Sequence, residues 1–109
     1  MAEPTLQEVF GANAIQDANT ITIYKSDLPG LTPQENNTAE SLLTGINVKA
    51  KQALTQSNFD ENLDQSVFIE RGFSNFTFRG PNQDSYRVDV LTINLAKPDD
   101  SDEIDPDNY

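Results

Sequence analysis

Apolar and polar positions change their spacing several times along this chain, and each change marks a predicted element. Residues 20–25, TITIYK, alternate in polarity with the period of a half-buried strand. The next residues, SDLPGLTP, contain Pro29, Gly30 and Pro33, which indicate a turn-rich loop. The pattern therefore predicts one strand and then a loop ahead of the longest helical segment.

A single long amphipathic helix is predicted after that loop. Asn37 is placed to cap its amino terminus, and Glu40 three residues later can complete a capping box. Val48 falls on the exposed side, and Gly45 in the interior indicates a close approach by a sheet or a neighbouring chain. The apolar residues of this helix lie within one arc of about 120° around the helix axis and form a predicted buried stripe. Its members are Ala39, Leu42, Leu43, Ile46, Ala50, Ala53 and Leu54.

The carboxyl-terminal half predicts a long antiparallel hairpin. After the polar connector TQSNFDENLDQS, the segments VFIERGFSNFTF and SYRVDVLTINLA flank RGPNQD, whose residues are typical of a loop. Whether VFIER and FSNFTF form one bent strand or two is left open. The predicted fold is α+β: one amphipathic helix packs on an antiparallel sheet of about four strands, in the order strand, helix, strand, strand, strand.

The apolar phase switches once on each strand of this hairpin. A register that pairs Phe78 with Tyr86 puts one apolar face near the turn and a second, on the opposite side, further away. The two switches lie opposite each other, near Gly72 and Val90. Either a pair of bulges returns these side chains to one core face, or a long coiled hairpin buries its second face against another body. The second explanation predicts an oligomer or an assembly partner.

The first nineteen residues contain a short apolar group, Leu6, Val9 and Phe10, spaced for one helical turn and followed by Gly11. They predict either a brief helix docked on the body or an arm that docks on something else. Together with the second face of the hairpin, this group forms a predicted interaction surface. Its members are Leu6, Val9, Phe10, Val67, Ile69, Phe73, Leu91, Ile93 and Leu95.

Charge separates the chain into an ordinary body and an acidic end. Seven Lys and Arg against eighteen Asp and Glu give a net charge of −11, and the segment from residue 99 to 109 holds six of those acids. We predict a single domain over residues 1–97 and a disordered tail over 98–109, because Ile104 alone cannot offset the entropy of ordering it. The tail does not fit an EF-hand, since a loop starting at Asp100 has Asp105 where Gly is needed.

The composition excludes several chemistries. Because the chain has no His and no Cys, the common zinc sites, thiol catalysis and Ser-His triads are excluded. Neighbouring acids such as Asp60 and Glu61 lie in a polar connector, where nothing indicates the burial that raises a carboxyl pKa. We therefore predict no catalytic residue, no metal site and no cofactor, and a protein that is not an enzyme.

The acidic balance also argues against binding to nucleic acid or to an anionic membrane, since both need basic residues. No apolar run approaches the ~20 residues of a membrane span, and no signal sequence is recognised, so we expect a cytoplasmic protein. In the register above, Arg79 and Arg87 share a face and form a possible anion contact. The alternative is that Asp84 and Asp89 pair with them as surface salt bridges.

The stretches TLQEVFGANA, ITIYKSDLPGLTP and NNTAESLLTGI make residues 5–46 similar to small uncharacterised cyanobacterial proteins. This resemblance implies a bacterial protein and no particular activity. The leading functional hypothesis is a non-enzymatic interaction or assembly module, which self-associates as a homo-oligomer or joins a larger protein assembly. The alternatives are an acidic inhibitor that blocks a basic surface on a partner and, third, a carboxylate-based enzyme.

Overall fold

The computed structural model describes residues 3–98 and 103–109, and within them the chain is α+β, as predicted. Two short 3-10 turns, Lys25–Asp27 and Pro106–Asn108, accompany the helices and strands. The helices are α1 (Leu6–Phe10), α2 (Ala39–Ala53) and α3 (Gln56–Glu61). The strands are β1 (Ile15–Gln16), β2 (Ile21–Thr22), β3 (Val67–Arg71), β4 (Asn75–Arg79), β5 (Asp84–Val88) and β6 (Leu91–Leu95).

The described strands pair as three separate antiparallel ladders, β1 with β2, β3 with β6 and β4 with β5. The long hairpin is confirmed, and its first half is two strands. The predicted single sheet of about four strands is replaced by these three ladders. Residues 20–25 supply only the two-residue β2, which pairs locally with β1. The Asp17 carboxylate holds that local turn by accepting hydrogen bonds from the N–H groups of Asn19 and Thr20, and these hydrogen bonds lower its pKa.

The amino-terminal segment is a brief helix docked on the body, the first of the two predicted possibilities. Thr5 and Glu8 close a capping box over α1, and Gly11 ends the helix with φ at 120°. Lys49 of α2 donates a hydrogen bond to the Glu8 carbonyl at 3.4 Å. The apolar side of α1 lies half-buried against α2, so this part of the predicted interaction surface is already partly covered within the chain.

Helix α2 begins one residue later than predicted. The Thr38 hydroxyl accepts the Ser41 N–H at 3.1 Å and is the cap. The side chain of Asn37 instead holds the preceding loop, where it accepts the Gln34 N–H and donates to the Thr32 carbonyl. Asn37 is engaged in that loop, so the neighbouring hydroxyl caps the helix.

The core of the described residues is small, with four buried apolar side chains. Leu28, from the loop after β2, is 4% exposed and packs over Gly45 of α2, where an added Cβ would lie 3.3 Å from the Leu28 Cβ. The close approach predicted at Gly45 is therefore made by this loop. Leu43, predicted to be in the buried stripe, is 60% exposed. The buried apolar residues are Ala14, Leu28, Ala50 and Ile69.

The polar connector contains a helix that the sequence pattern did not predict. Thr55 caps α3 by accepting the Asn58 N–H at 3.0 Å, and the Phe59 ring lies 4.7 Å from the ring of Phe68 on β3. The buried Gln65 amide donates to the carbonyls of Thr55 and Val67. These contacts attach the root of the hairpin to the helices.

The resulting shape is elongated. The radius of gyration is 16.5 Å, and the extents are 51 × 35 × 25 Å, whereas a compact domain of this length has a radius of about 13 Å. We call residues 3–65 the helical body, and the hairpin from Ser66 to Ala96 the arm.

Candidate interaction surface

The arm contains two blocks of register separated by one bulge. In the inner block Val67 pairs with Leu95, and this register runs to the bond from the Gly72 N–H to the Val90 carbonyl at 2.8 Å. In the outer block Asn75 pairs with Val88. Two residues, 73 and 74, therefore lie opposite the single residue 89. The predicted switch is present as one bulge on one strand, and not as a pair of bulges.

The predicted register was wrong in both blocks. Phe78 pairs with Ser85 rather than Tyr86, and Ile69 pairs with Ile93 rather than Leu95. The reason lies in the turn, since Gly80 adopts a positive φ of 85° and belongs to a four-residue loop over residues 80–83, outside the ladder. The turn sets the outer register, and the bulge then shifts the inner one by a further residue.

The inner block brings five of the predicted surface residues onto one face. On β3, Ile69 is buried at 5% exposure, Val67 is half-buried and Arg71 is exposed. The half on β6 is open, with Leu91, Ile93 and Leu95 exposed at 37%, 49% and 40%. We call these three side chains the β6 row. The face also carries Arg71, opposite Leu91, and the predicted surface residues on it are Val67, Ile69, Leu91, Ile93 and Leu95.

The remaining predicted surface residues lie elsewhere. Phe73 is at the bulge, outside both ladders, and 98% of it is exposed. The three apolar residues of α1 lie on the helical body and pack on α2. The structure thus divides the predicted surface into the arm face, the bulge and a helix that is already docked.

The two edges of the inner ladder differ in hydrogen bonding. On the outer edge of β3, the Ile69 N–H donates to the Leu54 carbonyl at 2.8 Å, and the Val67 carbonyl accepts from Gln65. Alternation along an antiparallel ladder directs the N–H and C=O groups of Leu91, Ile93 and Leu95 to the other outer edge. Within the described residues none of these groups has a hydrogen-bond partner. Strand β6 therefore has an open edge next to the β6 row.

A polar cluster spans the bulge. The Asp89 carboxylate accepts hydrogen bonds from Arg87 at 2.9 Å, Ser74 at 3.0 Å and Arg71 at 3.3 Å. The hydrogen bond from Arg87, and then that from Ser74, holds the pKa of Asp89 below its ordinary value. Because the side chains of Arg71 and Asp89 are 59% and 63% exposed, this is a surface cluster that fixes the bulge locally.

The predicted anion contact is not assembled in this arrangement. Arg79 lies opposite Asp84 in the ladder register, on the face opposite to that of Arg87, and its guanidinium lies 5.2 Å from the centre of the Tyr86 ring. The arginine that joins Arg87 is Arg71, which sequence reasoning missed. A one-residue error in register moves a side chain to the other face of a ladder, so only the paired strands reveal this partner.

The grooves beside the helices include two that contain charged residues. One, of about 510 Å³, runs between α2 and the bulge, and its charged residues are Lys51, Arg71 and Asp89. The other, of about 400 Å³, lies between α1 and α3 and includes Glu8 and Glu61 in its lining. Within residues 3–98 and 103–109, no group of three or more acidic residues is arranged to hold a metal ion.

The described part of the acidic tail lies against the arm. Asp105 caps the turn Pro106–Asn108, and Lys97 donates a hydrogen bond to the Glu103 carbonyl. Ile104 and Tyr109 line a cavity of about 390 Å³ together with Phe68, Ile93 and Leu95. Residues 99–102 lie outside the described residues, and they include Asp100, the first position of the EF-hand comparison. The disorder of the tail as a whole stays a prediction.

Comparison of the chain with protein-family models, with curated proteins and with solved structures finds no match. In the part of the chain that the structure describes, no helix combines the length and the apolar character needed to cross a bilayer. The geometry of the arm is therefore the basis for a functional conclusion.

Proposed function

We propose that this protein is a non-enzymatic interaction or assembly module whose arm binds another protein surface. The observation that carries the proposal is the inner ladder, where Ile69 of β3 is buried and the β6 row on the same face is left open. Exposed rows of apolar side chains on small proteins mark binding surfaces. The partner is either another copy of the chain or a different member of a larger assembly.

The open edge of β6 supports the same proposal. An unpaired strand edge is a template for pairing, and proteins usually protect such an edge with charged residues or proline. Residues 91–95, LTINL, contain neither. A strand that is apolar on one face, uncharged throughout and unpaired at its edge is suited to association.

The outer arm adds further apolar surface. Phe76 and Phe78 are 69% and 64% exposed on one face, and Tyr86 is 47% exposed on the other. A two-stranded ribbon has no second layer of its own to cover such side chains. A partner that docks along the arm would bury them.

The carboxylate chemistry favours a binding role over an enzymatic one. A general acid at neutral pH needs a raised carboxyl pKa, which requires burial or a neighbouring negative charge. The pKa values of Asp17 and Asp89 are shifted in the opposite direction by hydrogen bonds.

The absence of cysteine fits a reducing compartment, and we place the module in the cytoplasm of a bacterial cell.

The test combines mass measurement with partner capture on the full chain. Light scattering over a wide concentration range reports self-association, and immobilised protein captures partners from a bacterial lysate. We expect the double variant Leu91→Ser/Leu95→Ser to lose self-association or partner retention at least several-fold. The matched control is Leu63→Ser, because Leu63 is 98% exposed on the helical body.

Two outcomes would contradict the proposal. The first is a strict monomer that retains no partner. The second is an association that the double variant leaves intact and that disappears as salt is raised, which would favour an acidic inhibitor acting through the net charge of −11.

A further inference from the structure

We propose that the partner of β6 is β6 of a second copy, paired antiparallel about a two-fold axis at Ile93. This inference rests on the proposed function and names the partner of the same surface. A two-fold interface brings the same patch of both copies together, so a strand that pairs with itself must be complementary to its own reverse. The β6 segment meets that condition.

Residues 89–97, DVLTINLAK, match their own reverse in chemical character. With Ile93 opposite its own copy, Leu91 lies opposite Leu95 of the second copy. On the other face, Thr92 lies opposite Asn94 of the second copy. At each end, Asp89 lies opposite Lys97 of the second copy, which pairs opposite charges. Cross-strand pairs of like polarity and opposite charge are those that stabilise an antiparallel ladder.

The hydrogen-bonding groups fit the same register. The outward N–H and C=O groups of Leu91, Ile93 and Leu95 have no partner within the described residues. In the proposed pairing they face each other across the two-fold axis and form about six main-chain hydrogen bonds. The two inner ladders then join as one four-stranded sheet, and the two β6 rows become neighbours on a single face.

Charge favours this register over the one with the axis at Thr92. A two-fold axis at Thr92 would place Arg87 opposite Lys97 of the second copy, which opposes two like charges. It would also place Leu95 opposite Asp89 of the second copy. The axis at Ile93 avoids both pairings.

Charge also limits the strength of the pairing. Two copies with a charge of −11 each repel one another. The strand LTINL is uncharged, but the acidic segment with Ile104 and Tyr109 borders it. A five-residue strand also buries less than the ~800 Å² per partner of a standard interface. We therefore expect a weak dimer that tightens as salt screens the repulsion.

The register is tested with single cysteines, because the natural chain has none. Thr92 and Asn94 of the second copy occupy a pair without hydrogen bonds, with Cα atoms about 4.5 Å apart, within the range of a disulfide. We expect an oxidised equimolar mixture of the full-length variants Thr92→Cys and Asn94→Cys to give a covalent mixed dimer. Each variant alone should give at least several-fold less, because identical positions lie too far apart. Equal cross-linking alone and mixed, or none in the mixture, would overturn the inference.

The second measurement is the dimer dissociation constant by sedimentation equilibrium. Ile93→Lys places two like charges together at the axis, and we expect a rise of at least about tenfold in the constant. Ile21→Lys is the matched control, since Ile21 is 50% exposed against 49% for Ile93. Both variants add one positive charge and so change the net charge equally, and only Ile93→Lys should weaken the dimer. Circular dichroism confirms that each variant is folded, and if Ile93→Lys does not fold, the cysteine mixture decides.

The failure of this inference can be told apart from the failure of the proposed function. A chain that stays monomeric, yet loses a captured partner in Leu91→Ser/Leu95→Ser, keeps the assembly function and refutes self-pairing. A dimer that Ile93→Lys leaves unchanged uses a different surface and also refutes it. A monomer that binds nothing refutes both.

Discussion

The helical body and the arm of this protein are ordered by different interactions. In the body, Leu28 and Ala50 are buried around α2, and local hydrogen bonds close the caps and turns. In the arm, Ile69 is buried at the root, and beyond the bulge Phe76 and Phe78 are largely exposed. The body therefore has side-chain packing within the chain, whereas the arm has mainly ladder hydrogen bonds.

This difference shows how a small chain can combine a minimal core with a surface for association. A helix buries one stripe of side chains, and a single neighbouring loop can pack against that stripe. The loop that carries Leu28 packs against α2 in this way. A two-stranded ribbon has two faces and two edges, and isolated ribbons are marginally stable in water. The arm therefore needs stabilising contacts, either with the helices near Ile69 or, beyond the bulge, with a partner.

The largest expected effect separates buried from exposed leucine. Leu28→Ala removes a side chain that is 4% exposed and leaves a cavity over α2, so we expect a loss of about 2–4 kcal/mol in the free energy of unfolding. Leu63→Ala removes one that is 98% exposed, and we expect a change within about 0.5 kcal/mol. Urea unfolding of both variants measures the difference. Similar losses in the two would contradict the packing of Leu28 in the core of the body.

A smaller effect is expected from hydroxyl groups in the two regions. Thr38→Ala removes the cap of α2 and should lower the free energy of unfolding by about 1 kcal/mol. Thr77→Ala, in the middle of β4, should cost only a few tenths of a kcal/mol in global unfolding, because the outer ladder opens locally before the body unfolds. Thermal unfolding with hydrogen exchange checks both. A larger loss for Thr77→Ala would show that the outer arm is coupled to the core.

The smallest effect concerns pH at the bulge. Because Arg87 and Ser74 lower the pKa of Asp89 in the folded state, the cluster stabilises the bulge fully above about pH 4. That contribution is lost as the pH falls through the lower, folded pKa of Asp89. NMR titration of the Asp89 carboxyl should show a midpoint below the ordinary value of an aspartate. Arg87→Gln should raise that midpoint.

Arg79→Gln is the control for that titration, since Arg79 lies on the opposite face and contacts Tyr86. It should leave the midpoint of Asp89 unchanged. An equal shift in both variants would contradict the register of the outer ladder.

Much of the fold could be predicted, because its elements depend on local patterns. The apolar spacing at Leu6, Val9 and Phe10 predicted a helical turn, and the stripe around Ala50 predicted α2. Helix α3 was missed because its segment is polar and Phe59, which packs on Phe68, is its one apolar residue. Its local indication was Thr55, a capping residue at the start of the segment.

Five of the nine residues named for the candidate surface share one face of the inner ladder, but the arrangement of the strands was not predicted. The residues of the β6 row were named from their alternation, which any pairing preserves. The assignment of Arg79 and Arg87 to one face failed because it depended on register, and the turn at Gly80 and the bulge opposite Asp89 shift that register.

The sequence by itself determined the class of fold, the long helix, the hairpin, the acidic excess and the absence of histidine and cysteine chemistry. These follow from composition and from periodicities of two and 3.6 residues, which neighbouring residues set on their own. Only the tertiary structure decided which side chains of the arm are covered, that β6 has an open edge, and that Arg71 joins Arg87 at Asp89. Those features depend on contacts between residues far apart in the chain, where a shift of one position reverses the face on which a side chain lies.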